Sequence, residues 1–396
     1  MSVWSNWSGR QTANPSRVIS PASEAEFVAG IEQARNDGVP LRAVGAVHSH
    51  SRVAATDGVL VETDNWRGLV AADVEQKRAV LRSGTRVFQA GPLLFRQGMA
   101  LHNQGDIDRQ SIGGAIGTGT HGTGPRLQNF SAAVRGLRVV LATGDIVDCS
   151  PHSEPDLFEV ARHSLGGVGI VTTVDLAVRD AYKLRETQWF EHPDDVFGRI
   201  DQLIADSRHF EFFWDPKRDS CVCKSLAETD QPSEEGGSLA TEVLSDNQRV
   251  GWSHEIISSE RNNLHTEMEY SVPAEFGPAC FAELRALIHE RFPDLAWPLE
   301  YRTLASDDLW ISTASGRETV TISAHEDIAL DDRVLFEACE EVFRRYGGRP
   351  HWGKVHFQTG SELALAHPNL ERWWQTRDRY DPDELFVTPE LAALRP

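Results

Sequence analysis

A glycine-rich segment, residues 111–124 (SIGGAIGTGTHGTG), constrains the fold more than any other feature of this sequence. Residues 117–122 match GxGxxG, a dinucleotide-binding spacing that needs a following helix and an acidic residue about 20 positions later. Here Pro125 follows almost at once, and position 137 is Leu. We therefore reject a doubly wound dinucleotide fold. The segment predicts either tight turns or a nest of backbone N–H groups that binds an anion.

Two further glycine-containing segments adjoin predicted strands. Residues 44–51 (VGAVHSHS) follow one strand, and residues 166–169 (GGVG) precede another. Three such segments in one region are harder to explain as turns alone. Together they predict a wrap around a cofactor that contains a pyrophosphate.

Charge and composition exclude several classes of protein. The 396 residues include 59 acidic and 39 basic side chains, a formal net charge of −20. Nucleic-acid binding and docking on an anionic membrane both need a basic face, so neither is expected. No apolar stretch approaches the roughly 20 residues of a membrane span, and residues 1–11 do not resemble a secretion signal. Five cysteines without a CxxC pair predict a reducing, cytoplasmic location.

Periodicity divides the chain into domains of residues 1–180 and 181–370, with a tail, residues 371–396, expected to return to the first domain. A helix is predicted after the capping-box residues Ser23 and Glu26. The other predicted elements are strands near residues 41–47, 58–64, 78–84, 209–214, 299–304 and 318–326, a hairpin at 134–150, and helices near 85–100, 275–291 and 331–346. The acidic segment 228–246 is expected to be a mobile surface loop.

Polar residues alternate along two predicted strands of the second domain. Glu300 and Arg302 share one face of the first strand, and Ser323 and His325 share one face of the second. Such a Glu/Arg pair is commonly a plain ion pair, but it also suits the binding of polyols. The tetrapeptide HWGK, residues 351–354, adds a lysine. We expect Arg302, Lys354 and the histidines to form a locally positive patch.

Histidines leave a metal site open as an alternative. His48 and His50 are two residues apart on an extended segment, so both could face one side, with His121 or His325 as a partner. No HExxH motif or cluster with acidic ligands supports that site, and we predict no resident metal.

With these motifs, the chain resembles the flavin-dependent sugar-lactone oxidoreductases, namely the gulonolactone, arabinonolactone and alditol oxidases or dehydrogenases of the vanillyl-alcohol-oxidase class. The resemblance covers nearly the whole chain. The motifs that carry it are residues 44–51, 103–108 (NQGDID), 111–124, 164–171 (SLGGVGIV), 266–273 (TEMEYSVP), Glu300 with Arg302, HWGK, and 381–386 (DPDELF).

The resemblance implies an α+β, two-domain flavoprotein. An N-terminal FAD-binding domain would precede a substrate domain built on a mixed or antiparallel sheet. The implied substrate is a sugar lactone or polyol, oxidised at a CH–OH group by hydride transfer to flavin N5, with O₂ or a redox carrier as electron acceptor. The implied cofactor-binding residues are Gly45, Val47, His48, Ser49, His50, Ser51, Ser111, Gly114, Gly117, Thr118, Thr120, His121, Gly122, Gly169, Ile170 and Lys354.

The resemblance also assigns roles to polar residues. The expected substrate-binding residues are Ser111, Glu267, Ser323 and His351, and the expected catalytic residues are Glu300, Arg302, Lys354 and His325. Arg302 and Lys354 would stabilise negative charge on the alkoxide and the reduced flavin, and Glu300 would orient the hydroxyl or the arginine.

His48 matches the family histidine that is joined covalently to the flavin 8α-methyl. The family usually has glycine just before it, whereas this chain has Val47. Valine tolerates positive φ poorly, so either the loop has ordinary dihedrals there or His48 is displaced. An oxidase of another biosynthetic alcohol, a metal enzyme on His48, His50 and His121, and a non-catalytic binding protein remain alternatives.

Overall fold

The computed structural model describes residues 3–230, 241–245, 247–258 and 263–396. The first helix, α1 (Glu24–Asp37), begins and ends where the sequence predicts. The Ser23 side chain accepts a hydrogen bond from the Glu26 backbone N–H, and Gly38 ends the helix with φ of 63°. The buried residues of α1 include Phe27 and Ile31. These pack in one apolar core with residues of β4 and β5.

The N-terminal half contains small sheets. Its strands are β1 (Trp4–Ser5), β2 (Thr12–Ala13), β3 (Arg17–Ile19), β4 (Leu41–Val44), β5 (Val59–Glu62), β6 (Leu69–Asp73), β7 (Arg78–Arg82), β8 (Met99–Ala100), β9 (Val134–Val140), β10 (Ile146–Cys149), β11 (Ile170–Ala177) and β12 (Arg179–Asp180). Strands β3, β5 and β4 form a parallel sheet, and β10, β9, β11, β7 and β6 form an antiparallel one. The hairpin β9–β10 confirms the prediction for residues 134–150.

The C-terminal half is built on one nine-stranded antiparallel sheet, in the order β16-β17-β13-β15-β14-β19-β20-β18-β21. Its strands are β13 (Lys183–Glu191), β14 (His209–Asp215), β15 (Ser220–Thr229), β16 (Thr241–Ser245), β17 (Gln248–Trp252), β18 (His265–Pro273), β19 (Leu299–Leu304), β20 (Thr319–Asp327) and β21 (Arg349–Pro350). Together with the N-terminal sheets and the helices, this confirms the predicted α+β fold with an antiparallel sheet.

The remaining helices are α2 (Val87–Phe95), α3 (Ile112–Thr118), α4 (Pro155–Ala161), α5 (Pro193–Gly198), α6 (Ile200–Asp206), α7 (Ser253–Ile256), α8 (Gly277–Arg291), α9 (Arg333–Arg345), α10 (Gly360–Ala366), α11 (Leu370–Tyr380) and α12 (Pro389–Ala392). Helices α8 and α9 cover one face of the nine-stranded sheet and share its apolar core. No helix in the described part of the chain is both long and apolar enough to cross a membrane.

Three segments differ from the sequence-based expectations. The helix predicted near residues 85–100 ends at Phe95, and Met99–Ala100 forms β8. Residues 111–124 are predicted to form tight turns or an anion-binding nest, but α3 forms inside them because Ile112, Ala115 and Ile116 are buried in the core. In the segment 228–246, residues 228–229 belong to β15 and residues 241–245 pair with β17, so those parts of the mobile-loop prediction are wrong. Residues 231–240 and 246 lie outside the described residues.

The C-terminal tail packs on the N-terminal half. Trp373 and Leu391 lie in the same apolar core as strands β7, β9 and β11. Leu385 and Phe386 complete the core around α1. Residues of the predicted tail thus share apolar cores with the N-terminal half. The division of the chain at residues 180 and 370 stays a prediction.

Candidate active site

A cavity of about 580 Å³ lies between the glycine segments of the N-terminal half and one face of the nine-stranded sheet. We call its first side the glycine wall, formed by lining residues within 42–54, 105–121 and 164–171. We call its second side the sheet wall, formed by lining residues of β14, β18, β19 and β20 together with residues 351–354. The volume is in the range of cofactor and substrate pockets.

The glycine wall depends on close contact between the end of β4 and the first turn of α3. Ser111 caps α3, and its Oγ accepts a hydrogen bond from the Gly114 backbone N–H at 3.2 Å. A Cβ atom on Gly45 would lie only 1.8 Å from that Oγ. Any side chain at position 45 would therefore push the two segments apart.

The third glycine segment packs beside a buried cation at the end of the cavity. Arg42 lines the cavity, and its guanidinium donates to the carbonyl oxygens of Val53, Leu165 and Phe386. Burial lowers the pKa of Arg42 to about 10, so the group stays charged at neutral pH. A positive charge at the cavity favours an anionic ligand such as a phosphate or pyrophosphate.

In the loop after β4, Val47 adopts the left-handed backbone conformation that valine tolerates poorly. Val47 has φ of 51°, so ordinary dihedrals are not adopted there. His48 nevertheless lines the cavity, whereas His50 is turned into a buried cluster with His265 and Glu267. The expectation that both histidines share one side fails because β4 ends at Val44 and strand alternation stops there. Burial, aided by the Lys354 ammonium, lowers the pKa of His48 to about 4.

Strand alternation builds the sheet wall. In β18, Glu267 and Glu269 face the cavity, while Met268 and Tyr270 lie in the apolar core on the other face. The same alternation in β19 turns Glu300 and Arg302 to the cavity and Tyr301 to the core. Cross-strand register then sets Glu300 opposite Ser323, and Ser323 opposite Glu269. The polar face is therefore continuous over three strands.

Carboxylates pair with both cations of the sheet wall. Arg302 contacts Glu269, and one of its terminal nitrogens lies 3.2 Å from a Glu300 oxygen. Lys354 Nζ contacts Glu267. The expected locally positive patch is therefore wrong, because three buried carboxylates face one guanidinium and one ammonium.

Burial and ion pairing shift the pKa values of these carboxylates in opposite directions. Burial raises the pKa of Glu267, but Lys354 and the neighbouring histidines outweigh it and hold that pKa well below its usual value. His121 and Arg302 likewise hold the pKa of Glu269 below its usual range against the effect of burial. Both groups are carboxylates at neutral pH.

Hydrogen bonds fix the tautomers of two histidines at the cavity. His325 Nδ1 lies 2.8 Å from the Pro298 carbonyl oxygen and donates to it, so Nε2 carries the lone pair. His351 Nδ1 instead accepts from the Gly353 backbone N–H at 3.0 Å, so its Nε2 donates. Burial lowers the pKa of His325 to about 4 and that of His351 to about 3. Both rings are neutral at pH 7.

His121 is bonded differently from the other two. Its Nδ1 lies 2.8 Å from the Gly122 carbonyl oxygen, and its Nε2 lies 2.9 Å from a Glu269 carboxylate oxygen. Both partners are oxygens that accept hydrogen bonds. His121 and Arg302 thus contact the same carboxylate, Glu269.

A second charged group borders the cavity, with Asp106 in its lining. Lys224 Nζ is 2.9 Å from Asp106 and 3.1 Å from Glu211, and all three side chains are nearly inaccessible. Burial, with Asp106 nearby, raises the pKa of Glu211 to about 8. One cation between two carboxylates leaves Glu211 protonated at neutral pH, so this group carries little net charge.

Most of the residues proposed from sequence meet at this cavity. The lining contains all four expected catalytic residues and, of the expected substrate-binding residues, Ser111, Glu267 and His351. The expected cofactor-binding residues in the lining are Gly45, Val47, His48, Ser49, Ser111, Gly114, Gly117, Thr118, Thr120, His121, Gly169 and Lys354.

Five of the expected residues lie outside the lining. Ser323 lies beneath Glu269 and Glu300 and hydrogen-bonds to both. The side chain of Ser51 bonds to the Trp352 carbonyl oxygen. The others are His50 in its histidine cluster, Gly122 against the backbone of residue 104, and Ile170 in the core.

Sequence reasoning missed several residues of the lining. Glu269 is the most important, since it connects His121, Arg302 and Ser323. Its alternation with Glu267 in TEMEYSVP was a signal that could have identified it. No local pattern pointed to others such as Arg42, His265 and Trp297.

The glycine wall fits FAD. A Cβ at Gly117 would meet only Ser164 Oγ, at 4.0 Å, so a flat ligand can approach the backbone there. At Gly114 a Cβ would already lie 3.0 Å from Ser111 Oγ. Ser83 Oγ and Gln110 Oε1 belong to lining residues and have no hydrogen-bond partner among the described residues. Arg42 adds a positive charge at the cavity, and its terminal nitrogens donate to three carbonyl oxygens.

The metal alternative finds no single centre. Among the described residues, four groups have metal-ligand spacing, and two of them contain a histidine of the set His48, His50 and His121. These two are His50 with His265 and Glu267, and His121 with Glu269 and His351. In the part of the chain that the structure describes, His48 belongs to no such group, and His50 and His121 fall in different ones. Lys354 and Arg302 already neutralise the carboxylates of these two groups.

Comparison with known proteins agrees with this geometry. A family model for D-arabinono-1,4-lactone oxidase matches residues 174–247 and 237–393, and a model for an FAD-binding domain matches residues 15–150. The chain is 34 % identical to the L-gulono-1,4-lactone dehydrogenase of Mycobacterium tuberculosis, over 97 % of both chains. It is 26 % identical to the L-gulonolactone oxidase of Mus musculus, over 98 % of this chain and 97 % of that one.

The fold itself is shared more widely. A solvent-stable cholesterol oxidase superimposes with a TM-score of 0.85 at 16 % identity, covering 99 % of this chain and 97 % of that one. At this identity the likeness concerns the fold alone. The family model and the M. tuberculosis relative carry the assignment, and the chain therefore belongs to the D-arabinono-1,4-lactone oxidase family, with FAD as its cofactor.

Proposed function

We propose that this protein oxidises a CH–OH group of a sugar lactone, of the L-gulono-1,4-lactone or D-arabinono-1,4-lactone type, with FAD as the hydride acceptor. The observation that carries the proposal is the cavity with two unlike walls. One wall offers glycines and backbone for the cofactor, and the facing wall offers Glu300, Arg302 and Lys354 for a hydroxylated substrate. The names of the relatives point to the same substrate class.

Bound FAD supplies an acceptor for the hydride that leaves the substrate carbon. The chain must then bind the hydroxyls, hold the hydroxyl proton and stabilise charge on the oxygen. Carboxylates such as Glu300 accept hydrogen bonds from hydroxyls, and Arg302 donates to them. In this proposal Arg302 and Lys354 also stabilise negative charge on the substrate oxygen.

His325 is the proton acceptor in this proposal. Its Nδ1 is occupied by the Pro298 carbonyl, which leaves the Nε2 lone pair at the cavity. When Nε2 takes the hydroxyl proton, Glu267, whose carboxylate lies 3.8 Å away, compensates the new positive charge. The hydride leaves the same carbon, so a C=O bond replaces the C–H and O–H bonds.

We further propose that FAD is joined covalently to His48. The imidazole lines the cavity and is neutral, as a nucleophile toward the flavin methyl must be. Acid precipitation tests the bond: the yellow colour should stay with the protein pellet. A yellow supernatant would show that the cofactor is held without a covalent bond.

The finer assignments are proposals too. Ser111, Glu267, Ser323 and His351 would bind or position the substrate, with the chain divided at residues 180 and 370. All five cysteines are buried and free, which supports a reducing, cytoplasmic location. The electron acceptor would be O₂ or a redox carrier.

Anaerobic reduction of the flavin tests the activity. The holoenzyme is mixed with L-gulono-1,4-lactone, D-arabinono-1,4-lactone or a simple alditol, and the loss of flavin absorbance is followed by stopped flow. We expect bleaching with the lactones at the lowest concentrations. Preferential bleaching by the alditol would overturn the lactone assignment, and no bleaching by any of them would overturn the proposed function. Reoxidation by O₂ or by an artificial acceptor then distinguishes an oxidase from a dehydrogenase.

A further inference from the structure

The N-terminal hairpin, residues 4–13, lies directly on the loop that contains His48. It is made of β1 and β2, and the turn between them is closed by Asn6, whose Oδ1 accepts from the Gln11 backbone N–H at 3.0 Å. Asn6 and Ser8 are both nearly inaccessible to solvent. The hairpin is therefore an ordered part of the molecule with a fixed place on this loop.

Three hydrogen bonds join the hairpin to consecutive parts of the loop. The Trp7 backbone N–H donates to the Val47 carbonyl oxygen at 2.9 Å. The side chains of Asn6 and Gln11 donate to the carbonyl oxygens of Ser49 and His50 at 2.9 and 3.0 Å. Every one of these bonds is made to the backbone, so they fix the path of the loop rather than any single side chain.

The loop is held from its other side as well. The backbone N–H groups of His50 and Ser51 donate to the Gly353 carbonyl oxygen at 2.7 and 3.3 Å. Gly353 lies in the HWGK segment, next to Lys354 of the sheet wall. The His48 loop is thus fixed between the hairpin and the substrate side of the cavity.

Trp7 also holds the ring of His48. The indole stacks on the imidazole, with centroids 5.2 Å apart and an angle of 21° between the planes. The edge of the same indole contacts His265 at 5.4 Å. Stacking covers one face of the imidazole and leaves its nitrogen edge free to react, so the indole selects the ring orientation.

We propose that the N-terminal hairpin is a clamp that positions His48 for attachment of FAD, with Trp7 as the positioning residue for the ring. The clamp also stabilises the left-handed backbone of Val47, because the Trp7 N–H binds the carbonyl of that residue. Glycine would adopt this conformation without such support. The inference rests on the proposed attachment at His48, and it adds a reason why attachment tolerates valine at position 47.

The test is a time course of attachment. The full chain is produced under riboflavin limitation and supplied with FAD, and acid-stable flavin is measured at intervals. In Trp7→Leu we expect attachment to be about three- to tenfold slower, as loss of one aromatic stacking contact implies. Trp7→Phe should recover most of the rate. Trp4→Leu, in the same hairpin, is the matched control and should attach FAD at the wild-type rate.

The double variant separates the two parts of the clamp. In a Val47→Gly background the loop needs less support, so Trp7→Leu should slow attachment less than it does beside Val47. A wild-type rate in Trp7→Leu, or equal slowing by Trp4→Leu, would overturn the role of Trp7. An undiminished Trp7→Leu effect beside glycine would overturn the support of Val47.

A second readout keeps the clamp testable if the proposed attachment itself fails. Should the wild-type flavin prove acid-labile, His48 is titrated by NMR in wild type and Trp7→Leu, with a His48→Gln sample to assign its resonance. Loss of the stack exposes the ring, so its pKa should rise from about 4 toward 6.5. An unchanged pKa of His48 in Trp7→Leu would overturn the clamp.

Discussion

The two walls of the cavity recognise their ligands by opposite means. The glycine wall approaches FAD through backbone and small residues, and what matters there is the absence of side chains, as at Gly45 and Gly114. The sheet wall instead presents several charged side chains, and each of its two cations, Arg302 and Lys354, contacts a carboxylate. Because the two walls differ in this way, cofactor binding and the chemical step should be separable by mutation.

The sheet wall also shows how a protein with a net charge of −20 can bury cations at the site where the flavin is reduced. Arg302 and Lys354 are balanced by Glu267, Glu269 and Glu300 inside the same cavity. Burying a charge without a partner is costly, so the pairs allow these residues to be buried at all. Substitutions in this wall should change rates, and those in the glycine wall should change FAD affinity.

The largest effect is expected for the proton acceptor. His325→Gln should lower the anaerobic rate of flavin reduction by about 10²- to 10⁴-fold while FAD content stays the same. His325 accepts only when Nε2 is unprotonated, and its pKa is about 4. The wild-type rate should therefore be level near neutral pH and fall as the pH drops through about 4.

His356 provides a matched control for this prediction. It is also buried, with a pKa lowered by burial to about 4, and it does not line the cavity. His356→Gln should reduce its flavin at the wild-type rate. A wild-type rate in His325→Gln would place the proton acceptor elsewhere in the sheet wall, with Glu300 as the next group to replace.

Arg302→Ala is expected to have the next largest effect. Removing one preorganised donor to a developing negative charge typically lowers a rate about 10²- to 10³-fold. Stopped-flow reduction should show this loss while the flavin spectrum and FAD content remain those of wild type. Arg317, which lies outside the cavity and bonds to the Ser271 carbonyl, is the control position. Loss of FAD from Arg302→Ala would contradict the separation of the two walls.

Gly45→Ala should produce the reverse pattern. Its Cβ would overlap Ser111 Oγ, and overpacking of this size costs about 1–3 kcal/mol, or about a five- to 150-fold loss of FAD affinity. The fraction that retains FAD should reduce it at the wild-type rate. Gly198→Ala is the control, because a Cβ there meets nothing within 4 Å. A slower reduction rate in flavin-loaded Gly45→Ala would show that the walls are coupled.

How much of this site the sequence predicts depends on whether the information is local. Alternation placed Glu300 with Arg302 and Ser323 with His325, because neighbours two apart in a strand share a face. Glu269 was missed because its meeting with Arg302 depends on β18 lying next to β20, a pairing between distant segments. Strand order across a large sheet leaves no mark in a local pattern.

The glycine segment and the hairpin show two other limits. Glycine costs about 1 kcal/mol per residue in a helix, so local propensity argued against α3. The helix forms because its apolar face is buried and because Gly113 lets it pack closely against Ser83. A Cβ atom on Gly113 would lie only 2.9 Å from the Ser83 Cβ. No local sequence pattern points to a role for Trp7, because the loop that it contacts, which contains Val47 and His48, lies about 40 residues away in the chain.

The smallest effect is expected at Val47. A left-handed conformation costs a non-glycine residue about 1–2 kcal/mol, and a β-branched one is strained most. Glycine loses about 0.5–1 kcal/mol more backbone entropy on folding, so Val47→Gly should stabilise the protein by about 1 kcal/mol at most. Lys77, with φ of 54° and no β-branch, is the matched position. Lys77→Gly should raise the free energy of unfolding by less than Val47→Gly does. Urea unfolding of the two variants measures both gains. A larger gain at Lys77 would mean that the contacts of the hairpin already remove the strain at Val47, and that the clamp favours valine there.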